Sequence, residues 1–329
     1  MKATNLLFVA FFVDNFLMSC NSTKTNTVFT HTMRRRIFLL VAGIISTTLS
    51  FSQIKKQFSI EDNKAVERVD LHFSVNSGSC LLKPSQSSEL LNVYSDQDYD
   101  NYSHSFDKSI KNKTCTIKLA LEDDRSEGLS QSISYRMFGT SDESAKKLWK
   151  VYLTDNKNYN LNLKYGIGEA DIDLSGLSIG KLKIHTGSAD VNIGYLSGKN
   201  NQVVMDTFYV KVDLGSVNVK KLNLSRSKHV VADIGFGNLL LDFSDKPQVR
   251  SEIKGSVGAG NLMIMLPEDE IPVIVTVNDS WLCKVKLTKS FKKLSDNVFV
   301  NDAYDEDADN LLSFNLDVSM GSIVFKEKK

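Results

Sequence analysis

One short pattern recurs along this chain and limits what the chain can fold into. A glycine is followed by a polar residue and then by apolar residues at every second position. Residues 168–174 read Gly-Glu-Ala-Asp-Ile-Asp-Leu, 187–193 read Gly-Ser-Ala-Asp-Val-Asn-Ile, 237–243 read Gly-Asn-Leu-Leu-Leu-Asp-Phe and 260–266 read Gly-Asn-Leu-Met-Ile-Met-Leu. Looser copies begin at Gly78, Gly215 and Gly321. Successive side chains of a strand point to opposite faces. A period of two therefore places Ala170, Ile172 and Leu174 on a buried side and Glu169, Asp171 and Asp173 on a wet one. The glycine marks a corner with positive φ or a close backbone approach.

Second strands with the same alternation lie between the units, at Leu182–Ile184, Leu222–Leu224 and Val231–Ile234. From Gly168 the glycines follow at intervals of 19, 28, 22 and 23 residues. Roughly 20 residues make one coil of a β-solenoid, with two or three short strands and their turns. The predicted fold is all-β, a single solenoid domain over residues 53–329 with its regular coils at about 149–266. A β-sandwich, which also yields short strands at close intervals, is the alternative. Sheet edges invite pairing, so the segment Val69–Ser79 and the Gly321 strand are expected to cap the stack. Helix is scarce, with one turn expected at Ser144–Leu148.

Residues 149–153, 159–163, 165–177 and 182–191 resemble the bacterial toast-rack, or adhesin-like, β-solenoid domains, which are related to the extracytoplasmic part of cell-wall-active antibiotic response proteins. The resemblance extends from about residue 65 to 329. It implies a right-handed single-stranded β-helix, an envelope location and a role in adhesion or envelope-stress signalling without enzymatic activity. It transfers no catalytic residue. The chain lacks the C-terminal transmembrane helices of the membrane-bound subtype.

The N-terminus reads as an export signal. Met33-Arg34-Arg35-Arg36 is a basic start, Ile37–Leu49 an apolar stretch, and Ser50-Phe51-Ser52 carries the small residues a signal peptidase reads, so cleavage is expected before Gln53. Residues 1–32 read as a mis-called extension ahead of a true start at Met33. Leu17–Cys20 loosely resembles a lipobox, and lipid anchoring at Cys20 or an uncleaved leader are the alternatives. The expected location is periplasmic, cell-surface or secreted. Without residues 1–52 the chain keeps 35 basic and 38 acidic residues, which gives nucleic acid no bulk attraction. An oxidising compartment admits a disulfide, with Cys80 and Cys115 the favoured pair; buried free thiols are the alternative.

No motif for nucleotide phosphates, a nucleophile elbow or a zinc site occurs, and no cofactor is expected. His72, His104, His185 and His229 are too scattered in sequence to form a close ligand pair. Asp171, Asp173, Asp190 and Asp242 lie on the polar faces of successive units. Paired carboxylates there could cleave a glycosidic bond, which makes a polysaccharide-active enzyme the alternative reading. The polar face that carries them is poor in aromatic residues. Asp305, Asp307 and Asp309 have the alternating spacing of calcium ligands, but the glycine and closing glutamate of an EF-hand are missing. Lys284, Lys286, Lys289, Lys292 and Lys293 with Phe291 could meet an anionic surface. The expected partner is an envelope protein or polysaccharide, met by a flat sheet rather than a pocket.

Overall fold

The computed structural model describes residues 54–97, 102–122, 148–267, 270–279 and 282–327, all within one compact unit, Ile54–Lys329. The leader, Cys20, Met33 and the residues 144–147 of the expected helical turn lie outside the described residues; Leu148 begins a strand.

The strands are, in order, β1 Lys55–Glu61, β2 Arg68–Ser85, β3 Glu89–Ser95, β4 Ser103–Lys111, β5 Thr114–Glu122, β6 Leu148–Thr154 and β7 Asn158–Asp173. There follow β8 Ser178–Thr186, β9 Asp190–Gly194, β10 Met205–Val212, β11 Ser216–Lys220, β12 Ser227–Ile234, β13 Asn238–Asp242, β14 Ser251–Val257 and β15 Asn261–Leu266. The last are β16 Val273–Asp279, β17 Lys284–Lys286, β18 Lys292–Ser295, β19 Val298–Val300, β20 Leu312–Val318 and β21 Ser322–Glu327. All belong to one continuous sheet. The fold is an all-β solenoid.

Each coil has two arms joined at a corner. In β2 and β7 one strand runs through both arms; elsewhere a pair such as β8 and β9 or β10 and β11 supplies them. Neighbouring coils pair in parallel. Along the first arm the strands stack β5, β2, β7, β8, β10, β12, β14, β20, β16. Along the second they stack β6, β2, β7, β9, β11, β13, β15, β21, β17.

The stacking order is not chain order at either end. The β2 coil lies between the β5–β6 and β7 coils, and the β20–β21 coil between the β14–β15 and β16–β17 coils. The expected caps, Val69–Ser79 and the Gly321 strand, are therefore interior rungs. Antiparallel strands close the ends instead: β4 on β5 and β3 on β6 at one end, β19 on β16 and β18 on β19 at the other. Charged edge residues such as Lys292 and Lys293, exposed on β18, oppose pairing with another sheet.

Inward positions stack apolar residue on apolar residue. One first-arm column runs Leu71, Leu161, Leu182, Phe208, Val230, Ile253, Phe314 and Val275. Each fully buried side chain of this size contributes about 1.5–3 kcal/mol of transfer free energy. At Gly255 the column beside it omits a side chain, and Leu316 fills that space: a Cβ there would lie 2.8 Å from Leu316 Cδ2.

The corner holds two columns of small residues. The registers align Gly78, Gly168, Ala189, Gly215, Gly237, Gly260 and Gly321 in one column. Gly187 belongs to the other, beside Gly166, Asp213, Gly235 and Gly258. The 187–193 unit is thus offset by two residues from its neighbours, and the spacing around it is 21 and 26 residues rather than 19 and 28. A shift of two preserves which side chains point inward, so the sequence pattern hides it. Only Gly78 and Gly168 in these units have positive φ, 107° and 115°. Elsewhere glycine is required by contact: a Cβ on Gly215 would lie 2.0 Å from Ala189 O, and on Gly260 2.3 Å from Gly237 O.

Leu222–Leu224, expected as a strand, forms a 3₁₀ turn spanning Leu222–Ser225 between left-handed Lys221 and Arg226. Its period-two apolar residues are compatible with both, and the tie from Asn223 Nδ2 to Phe243 O, 2.7 Å, holds it as a turn. Asn201 staples another turn, donating to Ile179 O and Val203 O at 2.8 Å each and accepting from Ile179 N at 2.9 Å.

The favoured disulfide is not formed: Cys80, Cys115 and Cys283 are free thiols. Cys80 Sγ donates to Tyr165 Oη at 3.9 Å, and Tyr165 is the register partner of Val75. Cys115 is the partner of Val69. The six residues separating Val69 from Val75 span about 20 Å of strand, beyond the reach of a disulfide. Burial pushes the Cys80 thiol up to about 12 and raises Cys115.

The Tyr195 hydroxyl is buried and meets no hydrogen-bond partner among the described residues. Burial raises its pKa. Tyr195→Phe removes a desolvated hydroxyl and keeps the ring, so stability is expected to rise by about 1 kcal/mol in urea unfolding. A loss of that size would mean that the hydroxyl is satisfied in solution.

Candidate interaction surface

The outward residues of the two arms and the corner between them form the accessible surface. On the second arm the side chains bond mostly to one another along the stack. Asn192 Nδ2 donates to Asp171 Oδ1 and Asn218 Nδ2 to Asn192 Oδ1, each at 3.1 Å. Asn261 Nδ2 donates to Asn238 Oδ1 at 2.8 Å and Ser322 Oγ to Asn261 Oδ1 at 2.6 Å.

The four aspartates singled out in the sequence are each engaged structurally. Asp173 Oδ1 accepts from Ser175 N, Ser175 Oγ and Leu196 N. Asp242 accepts from Ser244 N and Lys221 N, and Asp190 from Ser216 N. They fasten turns and neighbouring rungs.

The histidines are dispersed. His185 Nε2 lies 2.8 Å from Asp213 Oδ2, His229 Nδ1 3.4 Å from Glu252 Oε2 and His72 Nδ1 3.2 Å from Asn162 Nδ2. His104 packs edge-on against Phe58. Among the described residues no three His, Cys, Asp or Glu side chains converge as a metal site. Asp305 turns its carboxylate back on its own loop, accepting from Asp307 N at 3.0 Å. The lysine cluster is divided: Lys284 and Lys286 stand on β17, Lys292 pairs with Asp302, Lys293 pairs with Asp296 at 3.3 Å, and Phe291 packs on Phe325.

Sequence reasoning missed a surface on the first arm and its corner. Between the two corner columns sits one residue per coil, and in the β10–β11, β12–β13 and β20–β21 coils its side chain projects into solvent. Phe236 N donates to Asp213 O, Ala259 N to Gly235 O and Met320 N to Gly258 O, each at 2.8 Å, which stacks Leu214, Phe236, Ala259 and Met320 on successive rungs. Leu214 is 42% exposed, Phe236 70% and Met320 61%. Phe236 stands between Gly235 and Gly237, and Leu214 and Met320 are each followed by a glycine, Gly215 and Gly321. The signal was present in sequence at Phe236, the residue between two glycines, but the same spacing also suits a turn residue of no consequence.

Three residues before Phe236 and Met320, across the first arm, lies a shallow furrow of about 320 Å³. Its lining includes Tyr209, Val231, Asp233, Lys254, Asn315 and Asp317. Registers place Tyr209, Val231, Lys254 and Asn315 on four successive rungs. Lys183 Nζ sits 5.2 Å from the Tyr209 ring centroid on the β8 side, so the opposite ring face turns toward Val231 and the furrow. Burial, and after it the charge of Asp233, raises the Tyr209 hydroxyl pKa.

An all-β solenoid with stacked polar ladders defines the class of protein. The profile Toast_rack_N, described as the N-terminal domain of toast_rack, DUF2154, matches residues 50–220, more than half of the chain. The chain belongs to the toast-rack family. No curated protein matches the sequence. Solved structures similar to this chain include a "putative cell adhesion protein" from Clostridium sporogenes, 14% identical with TM-score 0.40, the match covering 84% of this chain and 100% of that one. A "putative adhesin" from Bacteroides fragilis is 11% identical with TM-score 0.28 over 83% of this chain and 97% of that one. A "putative lipid binding protein" from Parabacteroides distasonis is 10% identical with TM-score 0.28 over 83% and 96%.

Proposed function

We propose that this chain is an exported, non-enzymatic binding module of the cell envelope, adhesin-like in action. The leader at residues 33–52 directs it out of the cytoplasm, and the mature part, from Gln53, works through its outer surface. Among the described residues no helix is long and apolar enough to cross a membrane. The observation that carries the reading is the ridge Leu214, Phe236 and Met320. Exposed apolar side chains aligned along a stack, here on neighbouring rungs at Leu214 and Phe236 and one rung beyond Ala259 at Met320, mark contact surfaces. The four aspartates are used to hold turns and rungs, which leaves the alternative, a glycan-cleaving enzyme, without a specific observation in its favour.

The double substitution Phe236→Asp, Met320→Asp tests this. Both positions are solvent-facing, so stability is expected to change by less than about 0.5 kcal/mol each. Sedimentation of the purified protein with isolated bacterial envelopes is expected to fall at least about tenfold in affinity, the loss from two apolar contacts. Equal co-sedimentation of variant and wild type would remove the ridge from the working surface.

A further inference from the structure

We infer that the furrow beside the ridge is a seat for a neutral polysaccharide strand; this rests on the envelope-binding reading and names its ligand class. A pyranose ring presents an apolar face of C–H bonds and an equatorial rim of hydroxyls. The furrow offers the complement of both. The Tyr209 side chain forms one wall, and Val231, its register partner, supplies apolar surface beside it. Around them stand acceptors and donors suited to hydroxyl groups. Asp233 and Asp317 are carboxylates, Lys254 an ammonium, and Asn315 and Ser256 can both donate and accept. From Tyr209 to Asn315 the lining crosses three rung spacings, about 14 Å, an extended track rather than a pocket for one sugar.

One contact holds the Tyr209 ring before a ligand arrives. The Lys183 ammonium rests on its far face at 5.2 Å. A preset aromatic wall avoids the cost of ordering a side chain on binding. The charges bordering the furrow, two carboxylates and one ammonium, favour an uncharged glycan over an acidic one. The aromatic-poor polar face read in the sequence belongs to the second arm, which carries Asp171 and Asp173; Tyr209 stands on the first.

The test uses the purified protein with neutral hexasaccharides of glucose, mannose, xylose and N-acetylglucosamine in titration calorimetry, with oligogalacturonate as the anionic control. At least one neutral series is expected to bind, and oligogalacturonate to bind more weakly. Tyr209→Ala is expected to weaken that binding about tenfold, at the upper end of an aromatic contact. Tyr209→Phe, which keeps the wall, is expected to stay within about threefold of wild type. Circular dichroism and the urea midpoint establish that each variant is folded. Failure of every neutral hexasaccharide to bind, or binding indifferent to Tyr209→Ala in a folded variant, overturns the inference. If either occurs while envelope co-sedimentation still depends on Phe236 and Met320, the glycan seat is wrong and the binding module stands. If hexasaccharides bind through Tyr209 and envelopes are not retained, the seat stands and the envelope reading falls.

Discussion

Gly168→Ala is expected to lower the stability of the solenoid by about 3 kcal/mol or more, as the sum of an unfavourable backbone conformation and an overpacked contact. Gly168 has φ of 115°, and a Cβ there would lie 2.1 Å from Gly78 O on the adjoining rung. Two further glycines separate the causes. Gly198 has φ of 72° with nothing nearer to its Cβ position than Lys221 Nζ at 3.8 Å, so Gly198→Ala bears the conformational cost alone, about 1–2 kcal/mol. Gly260 has no positive φ, but its Cβ would lie 2.3 Å from Gly237 O, so Gly260→Ala bears the contact cost alone, about 1–3 kcal/mol. Urea midpoints at constant slope measure the series. A Gly260→Ala variant as stable as wild type would show that the rungs part without cost and that the corner is not set by close approach.

Removal of residues 312–329 is expected to abolish cooperative unfolding of the C-terminal coils. Those residues supply β20 and β21, which pair with β14 and β15 on one side and with β16 and β17 on the other. Without them, two sets of strands lose their hydrogen-bonding partner and a buried aromatic chain is broken. Phe314 meets Phe243 at 5.4 Å and Phe325 at 5.5 Å between ring centroids, both edge to face. Phe314→Ala alone is expected to cost about 3–5 kcal/mol as a cavity in this stack. The same truncation of a terminal cap would leave the remaining coils folded and trim only the edge. Hydrogen exchange distinguishes the two: loss of protection at β15 and β16 is expected, and retained protection there would show that the coil is peripheral after all.

The strands and their buried sides were legible because a strand's own alternation records them. Ile172, Val191, Val217, Leu239 and Ile264 point inward as the period of two requires. The phase between coils was less legible. Gly187 looks like the start of a unit, yet Ala189 takes the place in register with Gly168 and Gly215. Apolar spacing alone cannot tell a two-residue offset from none. Leu222–Leu224 misleads for a similar reason, since three residues with apolar ends fit a strand or a tight turn. The candidate surface was harder still. Tyr209, Lys254 and Asn315 are 45 and 61 residues apart in the chain, and only the parallel register sets them in one furrow.

By itself the sequence determined the alternating strands, the glycine corners between them and the family to which the pattern belongs. These are properties of residues near one another along the chain, where side-chain size and backbone freedom act locally. The tertiary structure alone decided that Gly321 opens an interior strand, that Cys80 and Cys115 stay apart, and that Phe236 and Met320 line up beside the Tyr209 furrow. Those arrangements depend on which strand pairs with which, and backbone hydrogen bonds between strands are nearly indifferent to the residues they join.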